Sequence, residues 1–265
     1  MIPVSIVIIT KNEADTIEKC ILKALLITDD VVIIDNGSTD NTLIIAAGYG
    51  CRIYKKPWQS YGANKNQGNA LAKYNWVLSI DADELPDDEL INSLHNITFD
   101  DANVVYDIKF CSYYGTQPVR YGNWGREHHI RLFNRNGVKW TETVVHENLI
   151  LNKDIKIKKV KGRLHHYTIK DVEDYDQKSN YYAKLCAEKY FKSGKRSGVL
   201  KMHFSPIFGF IKSYIILLGF LDGRNGWLIA KTSFINTRRK YIYLDRLESC
   251  RQKKHPVKES FAIEY

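Results

Sequence analysis

The chain has 265 residues, of which 44% are hydrophobic and 26% are charged. This balance indicates a globular protein with a substantial core and excludes a fibrous or largely disordered chain. The formal net charge of +9 favours anionic partners, such as phosphorylated substrates, anionic lipid or nucleic acid, although a solvated basic face is the simpler interpretation.

Strand and helix patterns alternate from the N-terminus to residue 98. Apolar, β-branched runs predict strands buried on both faces, and apolar residues at helical spacing predict the helices between them. The predicted elements are strand 4–10, helix 14–26, strand 31–35, helix 39–47, strand 51–54, helix 62–72, strand 76–80 and a helix beginning at 85–88. This alternation predicts an α/β fold with a mostly parallel, doubly wound sheet and helices on both faces.

The pattern changes after residue 98. Strand-like runs at 104–114, 129–133, 138–145 and 155–160 have no clear helices between them and predict a mixed-sheet extension. Helical spacing returns over 171–191, 204–221 and 226–247, with 222–226 as the joint between the last two helices. We therefore divide the chain into 1–98 and 99–168, two halves of one domain, and a C-terminal helical region, 169–265.

Polar residues cluster directly after three of the predicted parallel strands, at 10–13, 35–38 and 81–84. In open α/β sheets, ligands bind outside the carboxyl ends of the strands. Three clusters at three such ends predict a single site.

The segment 81–84 carries three carboxylates, Asp81, Asp83 and Glu84. Alternate residues at a strand end can turn two carboxylates toward one point, and two hard oxygen ligands suit magnesium or manganese held together with a diphosphate. The alternative is a helix N-terminus whose acids complement the helix dipole.

The segment 35–40 predicts a tight turn at Gly37 that leads into a helix capped near Ser38 or Thr39. The free N–H groups of that helix would face an anion, and Asp35 could accept a hydrogen bond from a base or a ribose. An ordinary strand–turn–helix connection is the alternative. The chain has neither a GxGxxG fingerprint nor a P-loop, which argues against dinucleotide and kinase-type sites.

The T-x-N-E turn at 10–13, the D-x-G-S-x-D turn at 35–40 and the D-x-D at 81–83, in this order, resemble the family 2 glycosyltransferases of GT-A fold. Within that family the chain is similar to bacterial lipopolysaccharide-core β-glycosyltransferases. The segments that carry this second similarity are 81–84, 131–133, 145–147, 166–168 and 221–223. The resemblance covers nearly the whole chain and is strongest to about residue 170.

The resemblance implies an inverting, metal-dependent hexosyltransferase. It would move one sugar from a nucleotide-sugar, expected to be a UDP-hexose, to a glycan or lipid-linked acceptor in lipopolysaccharide-core or other cell-surface polysaccharide synthesis. Residues 1–98 would bind the nucleotide-sugar, and residues 99–168 would form the acceptor side. The cofactor would be a divalent cation, Mn²⁺ or Mg²⁺.

The resemblance also implies roles for single residues. Asp83 and His166 would bind the metal, although His166 could instead be a satisfied histidine beside His165. Lys65 would face the donor phosphates, Asp81 would contact the ribose or a metal-bound water, and Arg131 would bind a phosphate of donor or acceptor unless it is a surface residue. The nucleotide end of the donor would be held by Thr10, Asn12, Glu13, Asp35 and Ser38.

An inverting transfer needs a base that takes the proton of the acceptor hydroxyl. The family places an Asp or Glu after the D-x-D region, and Glu147 follows a predicted strand within the matching H-E motif. Glu147 is therefore the predicted catalytic residue, with Glu142 and Asp107 as rivals.

Other functions stay open at this point. The same chemistry would serve capsule, polyprenyl-linked or protein glycosylation. A sugar-1-phosphate nucleotidyltransferase normally begins with a glycine-rich, basic loop that 10–13 does not supply. A non-catalytic basic binding module is the remaining class, but three acid-bearing turns would repel nucleic acid, so we expect no nucleic-acid partner.

The last expectations concern location. The five scattered cysteines form no CxxC pair, which indicates a reducing compartment, and the N-terminus shows no signal-peptide pattern. The apolar stretch 204–221 is interrupted by Lys212, so we expect no transmembrane helix. We expect a cytoplasmic protein with peripheral contact to the cytosolic face of the inner membrane through 201–224; a helix packed on the core or in a dimer interface is the alternative.

Overall fold

A computed structural model describes residues 1–143 and 147–252 of the chain. The chain forms two compact units. The first comprises Met1–Arg120 and Trp124–Thr168, and the second comprises Tyr121–Asn123 and the chain from Ile169 onward.

The first unit contains the strands and four helices. Its strands are β1 Val4–Thr10, β2 Val31–Asp35, β3 Arg52–Lys55, β4 Trp76–Asp81, β5 Glu84–Pro86, β6 Val104–Tyr114, β7 Gln117–Pro118, β8 His128–Asn134, β9 Lys139–Trp140, β10 Leu149–Ile150 and β11 Lys156–Ile169. Its helices are α1 Ile17–Leu25, α2 Thr42–Gly48, α3 Tyr61–Leu71 and α4 Asp88–His95, with a 3₁₀ turn at Trp124–Arg126.

One large sheet organises this unit. Its strand order is β3-β2-β1-β4-β8-β6-β11-β5, with β7 paired to β6, and β9 and β10 form a separate pair. The strands β1 to β4 are parallel, whereas β8 pairs antiparallel with both β4 and β6. Alternate residues of β1 belong to two different apolar clusters. Ile6 and Ile8 belong to the cluster that includes residues of α1 and α4, and Val7 belongs to the cluster that includes Trp140. The predicted α/β class, with a parallel core and a mixed extension, is confirmed.

Several predicted boundaries are wrong, and β11 differs most. This strand runs over Lys156–Ile169 instead of 155–160, and it places His166 opposite Glu84 of β5. Its second half is rich in polar residues, so periodicity did not reveal it. The strand predicted at 138–145 is limited to Lys139–Trp140. Residues 144 and 145 of that run, and His146 of the H-E motif, lie outside the described residues.

The second unit is helical, as predicted. Its helices are α5 Val172–Lys192, α6 Val199–Ile211 and α7 Gly223–Gln252, with a π turn at Lys212–Ile216 and a 3₁₀ turn at Gly219–Asp222 between α6 and α7. An ion pair of 2.7 Å joins Asp176 of α5 to Arg239 of α7.

The predicted joint at 222–226 is wrong, because α7 already begins at Gly223. The break lies earlier, at Leu218, whose backbone has a left-handed φ of 60°. Gly226 is a close-packing residue rather than a helix breaker, since a Cβ there would lie 1.8 Å from the carbonyl oxygen of Gly219. Sequence alone interprets such a glycine as a turn.

Among the described residues, no single helix is long and apolar enough to span a membrane. One pair, Val199–Ile216 with Gly219–Arg251, meets the length and composition required of a span, but it is bent by 72°.

Candidate active site

The three polar clusters meet at one edge of the sheet, as the sequence predicts. Thr10 at the end of β1 is aligned with Asp35 at the end of β2, and Ile9 is aligned with Asp81 at the end of β4. The parallel strands therefore bring 10–13, 35–38 and 81–84 to a common rim.

The turns after β1 and β2 are held together by hydrogen bonds between them. Asn12 has a left-handed φ of 54°, its N–H donates to Ser38 Oγ at 3.0 Å, and its side-chain oxygen accepts from Thr39 N–H at 2.8 Å. The buried Asp35 carboxylate accepts from the N–H groups of Gly37 and Ser38, each at 3.1 Å. Gly37 has φ 91°, which confirms the predicted tight turn.

Two other predicted donor residues lie in the same region. The hydroxyl of Thr10 is buried, and it has no hydrogen-bond partner among the described residues. Glu13 accepts from the Thr16 hydroxyl at 2.9 Å, and its N–H donates to Thr42 Oγ1 at 2.8 Å. Since α2 begins at Thr42, the predicted N-cap at Ser38 or Thr39 is wrong.

Lys65 lies at the centre of the charged cluster and is 1% exposed. Its ammonium lies 3.2 Å from Asp81 Oδ1 and 2.9 Å from Glu147 Oε1, and 4.9 Å from the ring centre of Trp140. Helix α3 positions it through an N-cap in which Ser60 accepts from Ala63 N–H at 3.1 Å. Lys65 thus joins the strand-end carboxylate Asp81 to the predicted base.

Arg131 is buried, so its interpretation as a surface residue is wrong. Its guanidinium pairs with Glu84 and lies 3.3 Å from Asp81 Oδ2, over the ring of Phe110 at 5.2 Å. Burial would raise the pKa of Asp81, but the charges of Lys65 and Arg131 outweigh it and hold that pKa below its ordinary value. Asp81 is therefore kept ionised by its two cationic neighbours.

Glu84 is fully buried and accepts the Asp81 N–H at 3.1 Å. Burial raises the pKa of Glu84 to about 7 against the opposing charge of Arg131. The acids of 81–84 are not the first turn of a helix, because α4 begins at Asp88 with Asp87 as its N-cap. That alternative is wrong.

Asp83 and His166 come together, with Oδ2 and Nε2 3.4 Å apart. Burial lowers the pKa of His166, but the Asp83 carboxylate more than compensates and raises it to about 9. A carboxylate oxygen and an imidazole nitrogen are both ligands for Mn²⁺. Among the described residues no group of three or more His, Cys, Asp or Glu could hold a metal. A cation held by two protein ligands takes its other ligands from substrate phosphates and water.

The three base candidates occupy different surroundings. Glu147 contacts Lys65, whereas Asp107 lies 3.3 Å from His128 and Glu142 lines a cavity of about 340 Å³ beside Asn66. Glu147 is the candidate that the structure links to Asp81.

Two features of the site were not predicted. Glu84 was recognised only as an extra carboxylate, but it is the buried partner of Arg131. Gly62 lets Thr141 approach α3, since a Cβ at Gly62 would lie 1.9 Å from the carbonyl oxygen of Thr141. Neither role leaves a signal in spacing, because each depends on a partner more than 45 residues away.

A basic cavity of about 560 Å³ lies beside the site in the same unit. Phe110, which contacts Arg131, also lines this cavity together with the cations Lys109, Arg120 and Arg163 and the imidazole of His165. No sequence pattern predicted this cavity.

Comparison with known proteins identifies the relatives of this chain. The sequence model of glycosyl transferase family 2 matches residues 5–156. An uncharacterized glycosyltransferase of Rickettsia typhi is 32% identical over 85% of this chain and 80% of its own length. The lipopolysaccharide core biosynthesis glycosyltransferase LpsC of Rhizobium meliloti is 28% identical over 91% of this chain and 89% of its own length.

Among solved structures, glucosyl-3-phosphoglycerate synthase of Mycobacterium tuberculosis, in complex with Mn²⁺ and UDP, is 25% identical. It covers 43% of this chain and 44% of its own, with a TM-score of 0.34.

Proposed function

This chain belongs to glycosyl transferase family 2, and from that membership we propose an inverting, metal-dependent transfer of one hexose from a UDP-sugar to a cell-surface glycan or lipid-linked acceptor. The observation that carries the proposal is the contiguous set of charges from Asp81 through Lys65 to Glu147 at the carboxyl ends of the strands. This set of charges connects Asp81, on the side where the diphosphate is predicted to leave, to Glu147, the predicted base.

The rim formed by the first two turns is proposed to bind the nucleotide. The Thr10 hydroxyl, which has no partner among the described residues, is available to a base or ribose, and the turn of Asp35 and Ser38 is already fixed by internal hydrogen bonds. A rim ordered before binding spends less free energy on ordering when the donor arrives. Asn12 and Glu13 complete this rim.

Asp83 and His166 are proposed to hold the divalent cation. The Asp83 carboxylate contacts the His166 imidazole, so the two side chains offer an oxygen and a nitrogen ligand at one point beside Asp81. A bound Mn²⁺ or Mg²⁺ would neutralise the charge that develops on the diphosphate.

Glu147 is proposed to act as the base. The acceptor hydroxyl oxygen attacks the anomeric carbon, the bond from that carbon to the diphosphate oxygen breaks, and the diphosphate leaves with the bonding electron pair. The hydroxyl proton passes to the carboxylate of Glu147, which the Lys65 ammonium holds in position. Attack opposite the leaving group inverts the anomeric configuration.

Lipopolysaccharide-core synthesis is the proposed setting. The name of the Rhizobium relative supports it, because LpsC aligns over nine-tenths of this chain. Product analysis with candidate core oligosaccharides tests the acceptor separately from the chemistry.

Glu147→Gln tests the base. We expect transfer to fall by about 10²–10⁴-fold, the usual contribution of base catalysis, while binding of the UDP-sugar changes little. Glu142→Gln is the matched control and should stay within a few-fold of wild type. If Glu147→Gln melts earlier yet turns over within a few-fold of wild type, Glu147 only anchors its loop, and the base is Glu142 or Asp107.

Asp83→Asn tests the metal. An amide cannot replace an anionic ligand, so Mn²⁺-dependent UDP binding should weaken strongly. Mutating a residue that only hydrogen-bonds to a metal ligand typically lowers metal affinity by roughly 10–100-fold, and loss of the ligand itself should exceed that. Calorimetry with and without Mn²⁺ measures this effect, and Asp88→Asn, on an exposed carboxylate, is the control. Unchanged Mn²⁺-dependent UDP binding in Asp83→Asn would remove the metal assignment.

A further inference from the structure

The second unit exposes an apolar strip along α6 and the π turn. We use the name apolar strip for Leu200, Phe204, Ile207, Phe208, Ile211 and Ile215. Leu200 is 72% exposed and Phe204 64%, so both side chains lie at the surface of the second unit. The other side of α6 packs within the second unit, where Met202 lies against Ala187, Tyr241 and Leu244 and Pro206 is buried.

The spacing of these residues makes a continuous face. Steps of four, three, one, three and four residues keep side chains on one side of a helix with 3.6 residues per turn. The strip continues past the bend, where Leu218, Phe220, Leu221 and Trp227 are each more than 40% exposed. Scattered exposed apolar residues are normal, but so many within 28 residues mark an interaction surface.

Basic residues border the strip, and acids are absent from it. Lys201 and Lys212 are exposed, and the sequence 199–221 contains no Asp or Glu. Arg224 adds an exposed cation just after the bend. Long lysine and arginine side chains can keep their charges in water while their stems lie along an apolar phase. This charge pattern complements an anionic surface, whereas a second copy of the strip would bring like charges together.

The bend limits how this surface can be used. The 13 residues of α6 extend about 20 Å, short of the roughly 30 Å hydrocarbon core. The chain then turns by 72° into α7, which carries many charges. An apolar face with lysines at its border, followed by a sharp turn, matches a helix that lies within the interface of one leaflet.

We propose that the apolar strip of α6 docks the protein on an anionic lipid bilayer, with Lys201 and Lys212 at the headgroups and Phe204 and Phe208 in the acyl region. This docking is a binding activity separate from glycosyl transfer. It would concentrate the protein where lipid-linked acceptors are found.

Flotation of the full chain with vesicles tests the proposal. We expect the protein to float with vesicles of 70% phosphatidylcholine and 30% phosphatidylglycerol at about 0.1 M salt, and to float less with phosphatidylcholine alone. Phe204→Ser/Phe208→Ser should lower the partition coefficient by at least about tenfold. Lys201→Gln/Lys212→Gln should remove most of the preference for the anionic vesicles.

A matched control comes from Ile44, an apolar residue of the first unit that is 71% exposed. Ile44→Ser should float like wild type, and all variants should keep the wild-type circular dichroism. Wild-type protein that stays at the bottom with anionic vesicles overturns the proposal. A dimer that Phe204→Ser/Phe208→Ser converts to monomer, without any flotation, assigns the strip to a second copy instead.

Because vesicle binding is measured without sugar donor, its failure is distinct from failure of the proposed transfer reaction.

Discussion

The two units of this chain depart in opposite ways from the usual distribution of charged residues to the surface and apolar residues to the core. The first unit buries charged side chains: Lys65 is 1% exposed and Glu84 is 0% exposed. Lys65 is paired with Glu147, and Glu84 is paired with Arg131. The second unit exposes large apolar side chains along α6. Charged residues are almost never fully buried unless paired, and extended apolar surfaces are rarely left in water.

The difference teaches where each unit contributes to function. Buried ion pairs are weak contributors to stability, because desolvation offsets their attraction, so a network such as Asp81–Lys65–Glu147 is better explained by chemistry than by folding. An exposed apolar strip gives no folding benefit either. Each unit therefore retains a costly feature at the place where it is proposed to meet a ligand.

The strongest test of this comparison removes one partner of the buried network. Glu84→Ala leaves Arg131 buried without its closest carboxylate, and we expect the free energy of unfolding to fall by about 3–5 kcal/mol. Urea denaturation measures it. The control is Asp88→Ala, which breaks the exposed pair with Lys23 and should be indistinguishable from wild type. Equal effects for the two variants would show that burial of this network has no energetic consequence.

A smaller effect is expected from the close approach at Gly62. In Gly62→Ala the new Cβ would lie 1.9 Å from the Thr141 carbonyl oxygen and 3.4 Å from Glu147 Cβ, so Thr141 has to move close to the predicted base. We expect a loss of about 1–3 kcal/mol in unfolding free energy, together with reduced transfer.

Gly48→Ala is the matched control for Gly62→Ala, because nothing lies within 4 Å of a Cβ at Gly48. Alanine is the better helix former, so this variant should be neutral or gain up to about 1 kcal/mol. If both glycine variants behave alike in denaturation and in transfer, the close packing of Thr141 on Gly62 is wrong.

The smallest expected effect is the pH dependence from Glu127, a partly buried carboxylate of the first unit. Burial raises its pKa from the ordinary 4.5, although the hydroxyl of Ser112 donates to it at 3.1 Å and partly opposes the change. With a raised folded-state pKa, the folded protein retains a proton that the unfolded chain has lost. Its contribution to stability is therefore full below pH 4.5 and is lost as pH rises through the folded pKa.

Glu127→Gln cannot titrate, so the difference in unfolding free energy between wild type and this variant should shift against wild type as pH rises above about 4.5. Denaturant titrations at half-unit pH intervals measure that difference. A constant difference, or one that moves in favour of wild type, would contradict the assigned effect of burial.

The sequence predicted most of the first 98 residues because local and tertiary preferences agree there. The runs at Val4–Thr10 and Val31–Asp35 are apolar and β-branched, and they are strands buried on both faces. The rim of the site followed from them, since parallel strands must end at the same edge. Prediction was weaker beyond Asn103, where β11 alternates polar residues and pairs with the three-residue β5.

The sequence by itself determined the parallel α/β core, the common rim of the three turns, the helical C-terminal region and membership of glycosyl transferase family 2. These follow from patterns over neighbouring residues. Only the tertiary structure decided that Arg131 is buried against Glu84, that Lys65 joins Asp81 to Glu147, and that α7 begins at Gly223. Those outcomes depend on contacts between distant segments, where the free energy of burying a charge or of packing a glycine is set by the partner and not by the neighbouring residues.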